Sequence, residues 1–442
     1  MRFRALTGAL MVGALVFAPA KEASATDGHF LFGVGAISAA MGGANTAAPV
    51  DLLGTFYLNP AGLMAFDGFR SEFSFELFKP DRTVSSEVTG LGGDATRSVS
   101  DFVPIPAIGL TAKLNNEKVV LGIGALGIGG FGVNYAASTT NPILTPQPNG
   151  FGQVYSDYSL MKFTPAVAFA PSEKIWVGAA LNVDWARLTV MPAPFASPDV
   201  DAGPPPTAFY PSASAADGAF GFGFQVGLLW KINDMFNVGA AYTSEQWFEE
   251  FNFQSTVANP NLATFGTPRE FNFKLNVPAM VSGGLAVYAL PNLLLSGDFR
   301  YYFYESTPGF EVPETGIVNP DFSVAGFGWT NIYSIHAGFE WWPVEKFALR
   351  GGYNYSQNPI PDSLAMFNVP APAIVQHHAS VGLGWQVTRR FQISAAYYRA
   401  FENTGTGPLI NLGTGAAVGT VTNALKEDSF LLQFSLSTRG MK

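Results

Sequence analysis

Over much of this chain apolar and polar residues alternate with a period of two. In "FNFKLNVPAMVSGGLAVYA", Phe271, Phe273, Leu275, Val277, Ala279, Val281, Leu285 and Val287 share one face, and Asn272, Lys274, Asn276, Ser282 and Gly284 share the other. "FQISAAYY" sets Phe391, Ile393, Ala395 and Tyr397 against Gln392, Ser394 and Ala396. "FLLQFSLST" sets Phe430, Leu432, Phe434 and Leu436 against Gln433, Ser435 and Ser437. Side chains of a strand point alternately to opposite faces, so this pattern predicts strands with one greasy and one polar side.

Six tight turns, at 113–118, 170–174, 231–235, 289–292, 342–346 and 387–390, alternate with longer loops rich in Pro, Gly and Asn. They divide the chain into fourteen predicted strands. These run over 69–84, 102–114, 118–136, 158–170, 175–191, 219–231, 235–254, 271–290, 293–305, 329–342, 346–357, 377–387, 390–401 and 428–438. An even number of strands returns both termini to the side of the short turns, which is periplasmic in outer-membrane barrels.

Composition turns alternation into a membrane argument. Only 13% of the 442 residues are charged and 48% are hydrophobic, whereas soluble domains carry about 25% charged residues. No apolar run reaches the ~18 residues of a spanning helix. The longest is N-terminal, where Arg2 and Arg4 precede "ALTGALMVGALVFA" and "ASA" offers a cleavage site after Ala25; residues 1–25 read as a signal peptide. Hydrocarbon admits only helices and closed barrels, so the fold class expected is all-β: a 14-stranded antiparallel transmembrane barrel over 69–442 in the bacterial outer membrane. Aromatics near strand ends, Trp341 and Trp342, Tyr301 to Tyr304, and Trp247 and Phe248, suit interfacial girdles; a soluble β-sandwich core is the alternative. The net charge of −9 argues against a nucleic-acid partner on electrostatic grounds. The absence of Cys leaves no disulfide framework.

"VVLGIGALGIGGFGVNY" (119–135) carries Gly122, Gly124 and Gly127 at the spacing of a dinucleotide-binding turn. That reading requires a helix after the glycines, to hold the pyrophosphate at its N-terminus. Gly129, Gly130 and Gly132 follow instead, then a Pro-rich loop, and no acidic residue stands about 20 positions on. The stretch therefore predicts a glycine-rich strand.

Residues 26–68 do not alternate, and "ISAAMGGANTAA" allows only short helical turns. About eight strands already suffice for an interior filled by its own side chains, so this small-residue segment reads as a plug, or hatch, for a wider barrel. Here the chain resembles the FadL-type outer-membrane transporters of long-chain fatty acids, which include importers of aromatic hydrocarbons. The resemblance rests on "FYLNPAGL", with Asn59, Pro60 and Ala61, on "AAMGGANTAA", and on "LRGGYNYSQNPIPD" and "HHASVGLGWQVTRRFQISAAYY" downstream. It implies a hatch, capture of hydrophobic ligands between extracellular loops, and sideways exit where the third strand kinks. On that basis Gly127, Gly129 and Gly130 mark the lateral opening; a merely flexible strand against the hatch is the alternative. It also implies a monomer set among outer-membrane lipids and lipopolysaccharide and inserted by the barrel-assembly machinery. The family's C-terminal aromatic is missing, since the chain ends "STRGMK".

Burying a methylene stabilises by about 0.8 kcal/mol, so a ligand burying about ten gains on the order of 8 kcal/mol. Release needs an element that can be disrupted, and a loosely packed hatch is a candidate. Alternation turns Asp298 and Arg300 inward, with Glu340 on the tenth strand and Arg350 and Asn354 on the eleventh. They predict a paired lumen network anchoring the hatch, or an arginine that meets a ligand carboxylate. The adjacent His377 and His378 point to opposite faces and cannot chelate together; no metal site, cofactor or catalytic group is expected. His336 faces inward, where a hydrolase would need a serine beside it. The rivals to hydrophobic uptake are a general or anion-selective porin, which would favour an open, charge-ringed lumen, and a barrel without transport function. The loop at 195–218 reads as mobile or as part of an apolar entrance.

Overall fold

In hydrocarbon a strand can leave neither edge unpaired, and the computed structural model meets this demand by closing fourteen strands on themselves. It describes residues 27–440 except 100, 101, 115, 116, 214, 217, 314, 315 and 413; the signal peptide expected at 1–25 lies outside them. In chain order the strands are β1 (Phe69–Val88), β2 (Val103–Lys113), β3 (Val119–Tyr135), β4 (Val154–Phe169), β5 (Ile175–Met191), β6 (Ala219–Lys231) and β7 (Phe236–Thr243). They continue as β8 (Met280–Leu290), β9 (Leu293–Tyr302), β10 (Ile332–Val344), β11 (Phe347–Ser356), β12 (His377–Thr388), β13 (Phe391–Ile410) and β14 (Ala417–Ser437). Each pairs antiparallel with its neighbour in sequence, and β14 pairs with β1 from Arg70↔Ser437 to Val88↔Gly419, closing the barrel. Phe430, Leu432 and Leu436 face outward and are exposed while Gln433, Ser435 and Ser437 are buried in the lumen, as the alternation predicts.

Two expected strands are shorter than predicted. β7 ends at Thr243 and β8 begins only at Met280. Between them Phe251–Thr256 pairs with Pro268–Phe273 and with Ala215–Ala216 in a separate three-stranded sheet. Phe273, Leu275 and Val277, assigned by alternation to the lipid face, are buried instead among the loops, where Phe273 stacks on Phe195 at 4.4 Å. A period of two reveals an apolar face but not whether lipid or protein covers it. Conversely, β1, β13 and β14 run well past their expected ends and form one tall side of the barrel.

The aromatic girdle also needs correction. Trp247 and Trp341 are exposed on the outer surface, but Tyr302, Tyr304 and Phe248 are buried, the two tyrosines against the hatch. His377 is exposed and His378 buried, on opposite faces as expected.

Residues 27–68 fill the lumen. They contain two short helices, α1 (Ala36–Ala40) and α2 (Leu52–Leu58), and a 3₁₀ turn at Pro60–Ala65. From Asp27 to Ala48 every residue is buried. The wall accepts this segment because many of its inward positions are glycine. A Cβ at Gly338 or Gly352 would overlap the backbone of Met41 and Gly42, and one at Gly227 would overlap Asn59. Two of the three fingerprint glycines serve the same end: Gly122 and Gly124, with Gly109 of β2, form a seat for the Phe56 ring, which any side chain there would displace.

Candidate functional site: the hatch and the open edge of the third strand

The strand β2 pairs with β1 along its whole length, from Phe69↔Ala112 to Phe78↔Val103, but its pairing with β3 stops at Ala107↔Leu126. The cause is legible in the backbone. Lys113 donates its N–H toward β1, to Gly68 O, and Leu114 donates toward β3, to Val119 O. Even-numbered residues of β2 therefore face β3, and the next two in line, Pro106 and Pro104, have no N–H to give. At the same level β3 carries a bulge between Gly127 and Gly129 opposite β4. From Leu126 to Val133 it is buried on both faces, so the in–out alternation ceases there.

The edge that β2 abandons is taken by the hatch. Leu31 N–H donates to Ile128 O at 2.9 Å and Gly130 N–H donates to His29 O at 2.9 Å, so that Phe30 bridges Gly129 as a short antiparallel partner. Gly129 must be glycine, because a Cβ would overlap the His29 carbonyl. Higher up, Val99 N–H donates to Asn134 O at 2.8 Å. Gly127, Gly129 and Gly130, singled out from sequence, thus stand where wall pairing gives way to hatch pairing.

Polar contacts hold the hatch elsewhere. Asn59 of the Asn-Pro-Ala motif caps the 3₁₀ turn by accepting from Ala61 N–H at 3.1 Å, and its Nδ2 donates to Thr46 O at 2.8 Å and to Leu228 O of β6 at 3.0 Å. Pro60 opens the turn, where a missing N–H does no harm. Arg300 is fully buried and donates to Phe32 O at 2.8 Å and to Gly43 O, with Asp27 and Asp298 both 3.7 Å away. Asp298 accepts from the backbone N–H groups of Asn45 and Thr46, at 2.9 and 2.8 Å. Arg350 and Glu340 pair with each other at 2.6 Å and are not joined to this network. Sequence grouped the four residues together, but the structure separates them into a hatch anchor and a wall ion pair.

Sequence missed Asp27 and the cluster around it. Its carboxylate accepts from Tyr302 Oη at 3.0 Å, Ser334 Oγ at 3.2 Å and Asn354 Nδ2 at 3.2 Å, and lies 3.4 Å from His336 Nε2. Burial alone would raise its pKa, but the charge and hydrogen bond of His336 and the charge of Arg300 outweigh it and hold the group at about 2. His336 does meet a serine: Ser334 Oγ shares a 2.8 Å hydrogen bond with Nε2. Serine and aspartate, however, address the same ring nitrogen while Nδ1 faces Gly42 O at 2.8 Å. A catalytic relay places them on opposite nitrogens, and this cluster is sealed beneath the hatch.

His29 and Phe30 of the hatch join Phe131, Tyr158, Tyr304, Phe310, Phe327 and Trp329 in a buried aromatic cluster. Asn368 fixes it from the loop above, accepting from Trp329 Nε1 at 2.7 Å and donating to Phe327 O at 2.8 Å. That loop reaches a cleft of about 510 Å³ between the extracellular loops, lined by Phe151, Tyr210, Met366, Leu409, Ile410 and Val418 among others. The 195–218 loop contributes Pro198, Val200 and Tyr210 to it.

A closed fourteen-stranded barrel with a docked N-terminal hatch defines an outer-membrane transport barrel. The chain belongs to the outer membrane protein transport family (OMPP1/FadL/TodX), whose model matches residues 24–422. Solved structures share the fold. A FadL homologue of Pseudomonas aeruginosa aligns with a TM-score of 0.73 at 15% identity, over 93% of this chain and 99% of that one. The toluene transporter TodX of P. putida aligns at 0.70 with 17% identity, over 92% and 98%. The toluene transporter TbuX of Ralstonia pickettii aligns at 0.62 with 19% identity, over 91% and 98%. No curated protein sequence matches. The protein is accordingly placed in the bacterial outer membrane, with its short turns and termini toward the periplasm.

Proposed function

We propose that this chain is a channel for passive uptake of hydrophobic small molecules, long-chain fatty acids or related hydrocarbons, with no chemistry performed on the cargo. The loop cleft collects the ligand, rearrangement of residues 26–68 admits it to the aromatic cluster, and it leaves sideways between β2 and β3 into membrane lipid. The observation that carries this reading is the exchange of partners on β3: beyond Leu126 the strand is paired not with the wall but with hatch residues 29–31. A partner that belongs to the hatch can withdraw without unzipping the barrel. A general or anion-selective porin would instead need an open bore, which buried residues 27–48 fill. We place the working unit as a monomer, surrounded by lipopolysaccharide and lipid and inserted by the barrel-assembly machinery.

The test immobilises the hatch. A Cβ on Gly124 would lie 3.4 Å from Phe56 Cβ, close to the separation of a disulfide. In Phe56→Cys/Gly124→Cys the oxidised protein is expected to lose uptake of radiolabelled fatty acid and hydrocarbon while keeping the heat-resistant gel mobility of a folded barrel. Reduction restores uptake, which controls for damage by the substitutions. Full uptake by the oxidised form rejects hatch rearrangement.

A further inference from the structure

Along β1, β13 and β14 the outward side chains change character at one level. On β1 the apolar series Phe73, Phe75 and Leu77 gives way to Lys79 and Asp81, and on β14 Phe434, Leu432 and Phe430 give way to Asp428 and Lys426. On β13 Tyr397 is followed outward by Arg399. Register joins these into a row, since Lys79 pairs with Asp428 and Asp428 with Arg399. From Phe69 to Lys79 the strand runs roughly 33 Å, or about 25 Å of height at a tilt of about 40°, which is the height of a barrel's apolar band. The row therefore stands where hydrocarbon ends and the headgroups of the outer leaflet begin. Outward positions of β6 to β11 carry no charged residue; toward the extracellular loops they present rings instead, such as Phe299 stacked on Tyr333 at 5.8 Å.

Carboxylates hold the cations of this row against the sheet. Arg97, on the short strand Gly92–Arg97 that pairs with β1, donates to Asp81 at 2.8 Å. Lys426 lies 3.6 Å from Asp81 and 3.4 Å from Glu402, and Arg399 lies 3.6 Å from Asp428. Lys79 has no carboxylate within ion-pair distance among the described residues and sits over the Phe102 ring at 5.3 Å. The cations thus outnumber their carboxylates by one, and the side chains of Arg97 and Arg399 remain 67% and 47% exposed. Above the row the outer face is chiefly hydroxyls, with Thr83, Ser85, Thr404, Thr406, Thr420 and Thr422 turned outward and Thr406 bonded to Thr422 at 2.8 Å.

We propose that this face is a docking site for lipopolysaccharide. Lys79, Arg97, Arg399 and Lys426 take phosphates of its lipid A and inner core through charge-assisted hydrogen bonds, and the hydroxyl rows above take its sugars. A phospholipid headgroup fits less well, because it offers a single phosphate and no saccharide to cover the wall that β1, β13 and β14 raise above the membrane. The site gives the lipopolysaccharide surroundings proposed above a fixed address, away from the hatch and the third strand.

The experiment titrates the delipidated full chain in detergent with deep-rough lipopolysaccharide, with its dephosphorylated form and with phosphatidylglycerol, and counts bound molecules by native mass spectrometry. A basic residue near an anionic membrane surface contributes about fivefold in affinity. Lys79→Gln, which breaks no ion pair, is therefore expected to weaken lipopolysaccharide binding about fivefold, and Lys79→Gln/Arg399→Gln/Lys426→Gln about a hundredfold. Lys174→Gln/Lys346→Gln, in exposed periplasmic turns, is expected to leave it unchanged. Heat-resistant gel mobility controls for folding of each variant. The dephosphorylated form and phosphatidylglycerol are expected to bind the unaltered chain more weakly than lipopolysaccharide does. Unchanged lipopolysaccharide binding by Lys79→Gln and by the triple variant, or equal binding of the dephosphorylated form, overturns the site. Equal or tighter binding of phosphatidylglycerol assigns the row to phospholipid and overturns it too. Uptake is tested separately by the hatch disulfide, so either reading can fail without the other.

Discussion

Gly130 of the third strand donates its backbone N–H to the carbonyl oxygen of His29, a hatch residue, at 2.9 Å. Elsewhere along the wall that bond would belong to a neighbouring strand. The plug therefore does more than fill space: it completes the hydrogen bonding of a wall segment to which β2, having Pro104 and Pro106 there, has no N–H to donate.

Restoring those two donors should close the flank. In Pro104→Ala/Pro106→Ala, β2 could offer two further N–H groups to β3, each worth about 1 kcal/mol net. Together they would disfavour opening by roughly 30-fold. Uptake is expected to fall by at least an order of magnitude with no loss of thermal stability; unchanged uptake would show that the prolines do not set the opening.

The His29 seat should be acid-labile. Its pKa falls from 6.5 to about 3 on burial. A depressed histidine contributes stability that is full above the unfolded value and declines as pH drops toward the folded one. One pH unit below 6.5 corresponds to about 1.4 kcal/mol, so release of residues 29–31 should rise about tenfold between pH 7.5 and 5.5. Asp27, held at about 2, stays ionised over this window and adds nothing to the change. Hydrogen exchange at Gly130 N–H, followed at both pH values and corrected for its intrinsic pH dependence, measures this, and His29→Phe should abolish the difference.

Removing Arg300 should free the hatch and spare the barrel. Arg300→Met leaves the buried Asp27 and Asp298 without their shared cation, and breaking buried ion pairs in this way costs about 3–5 kcal/mol. We expect protease-sensitive residues 27–48 and a measurable ion conductance in planar bilayers, with heat-resistant gel mobility retained. A hatch as resistant as that of the wild type would contradict the anchoring role.

Arg350 should be indifferent to ligand charge. It is engaged by Glu340 at 2.6 Å, so Arg350→Met is expected to change binding of a fatty acid and of a neutral hydrocarbon by the same factor, within about twofold. A selective loss of acid binding would restore it as a head-group contact.

The sequence went furthest where physics is local. The six tight turns and the period-two faces of β9 to β14 were readable because each strand presents one side to lipid and the other to a polar lumen. The failure between Thr243 and Met280 came from the same rule, since Phe273 and Leu275 alternate correctly but are covered by loops. Gly127, Gly129 and Gly130 could be located, but what pairs with them could not, because their partner lies about a hundred residues earlier in a segment without periodicity. Asp27 carried no motif at all; its role comes from Tyr302, Ser334, His336 and Asn354, brought together by three adjacent strands.

The sequence by itself determined a barrel, its strand number and the presence of a plug, because backbone satisfaction in lipid leaves a low-charge, alternating chain no other closed arrangement. Tertiary structure alone decided which glycines meet the hatch, that Arg300 serves the hatch while Arg350 serves the wall, and that a histidine lies in an aromatic box. Those are long-range coincidences of position around a closed ring, and a pattern with a period of two contains no record of which residues face one another across the lumen.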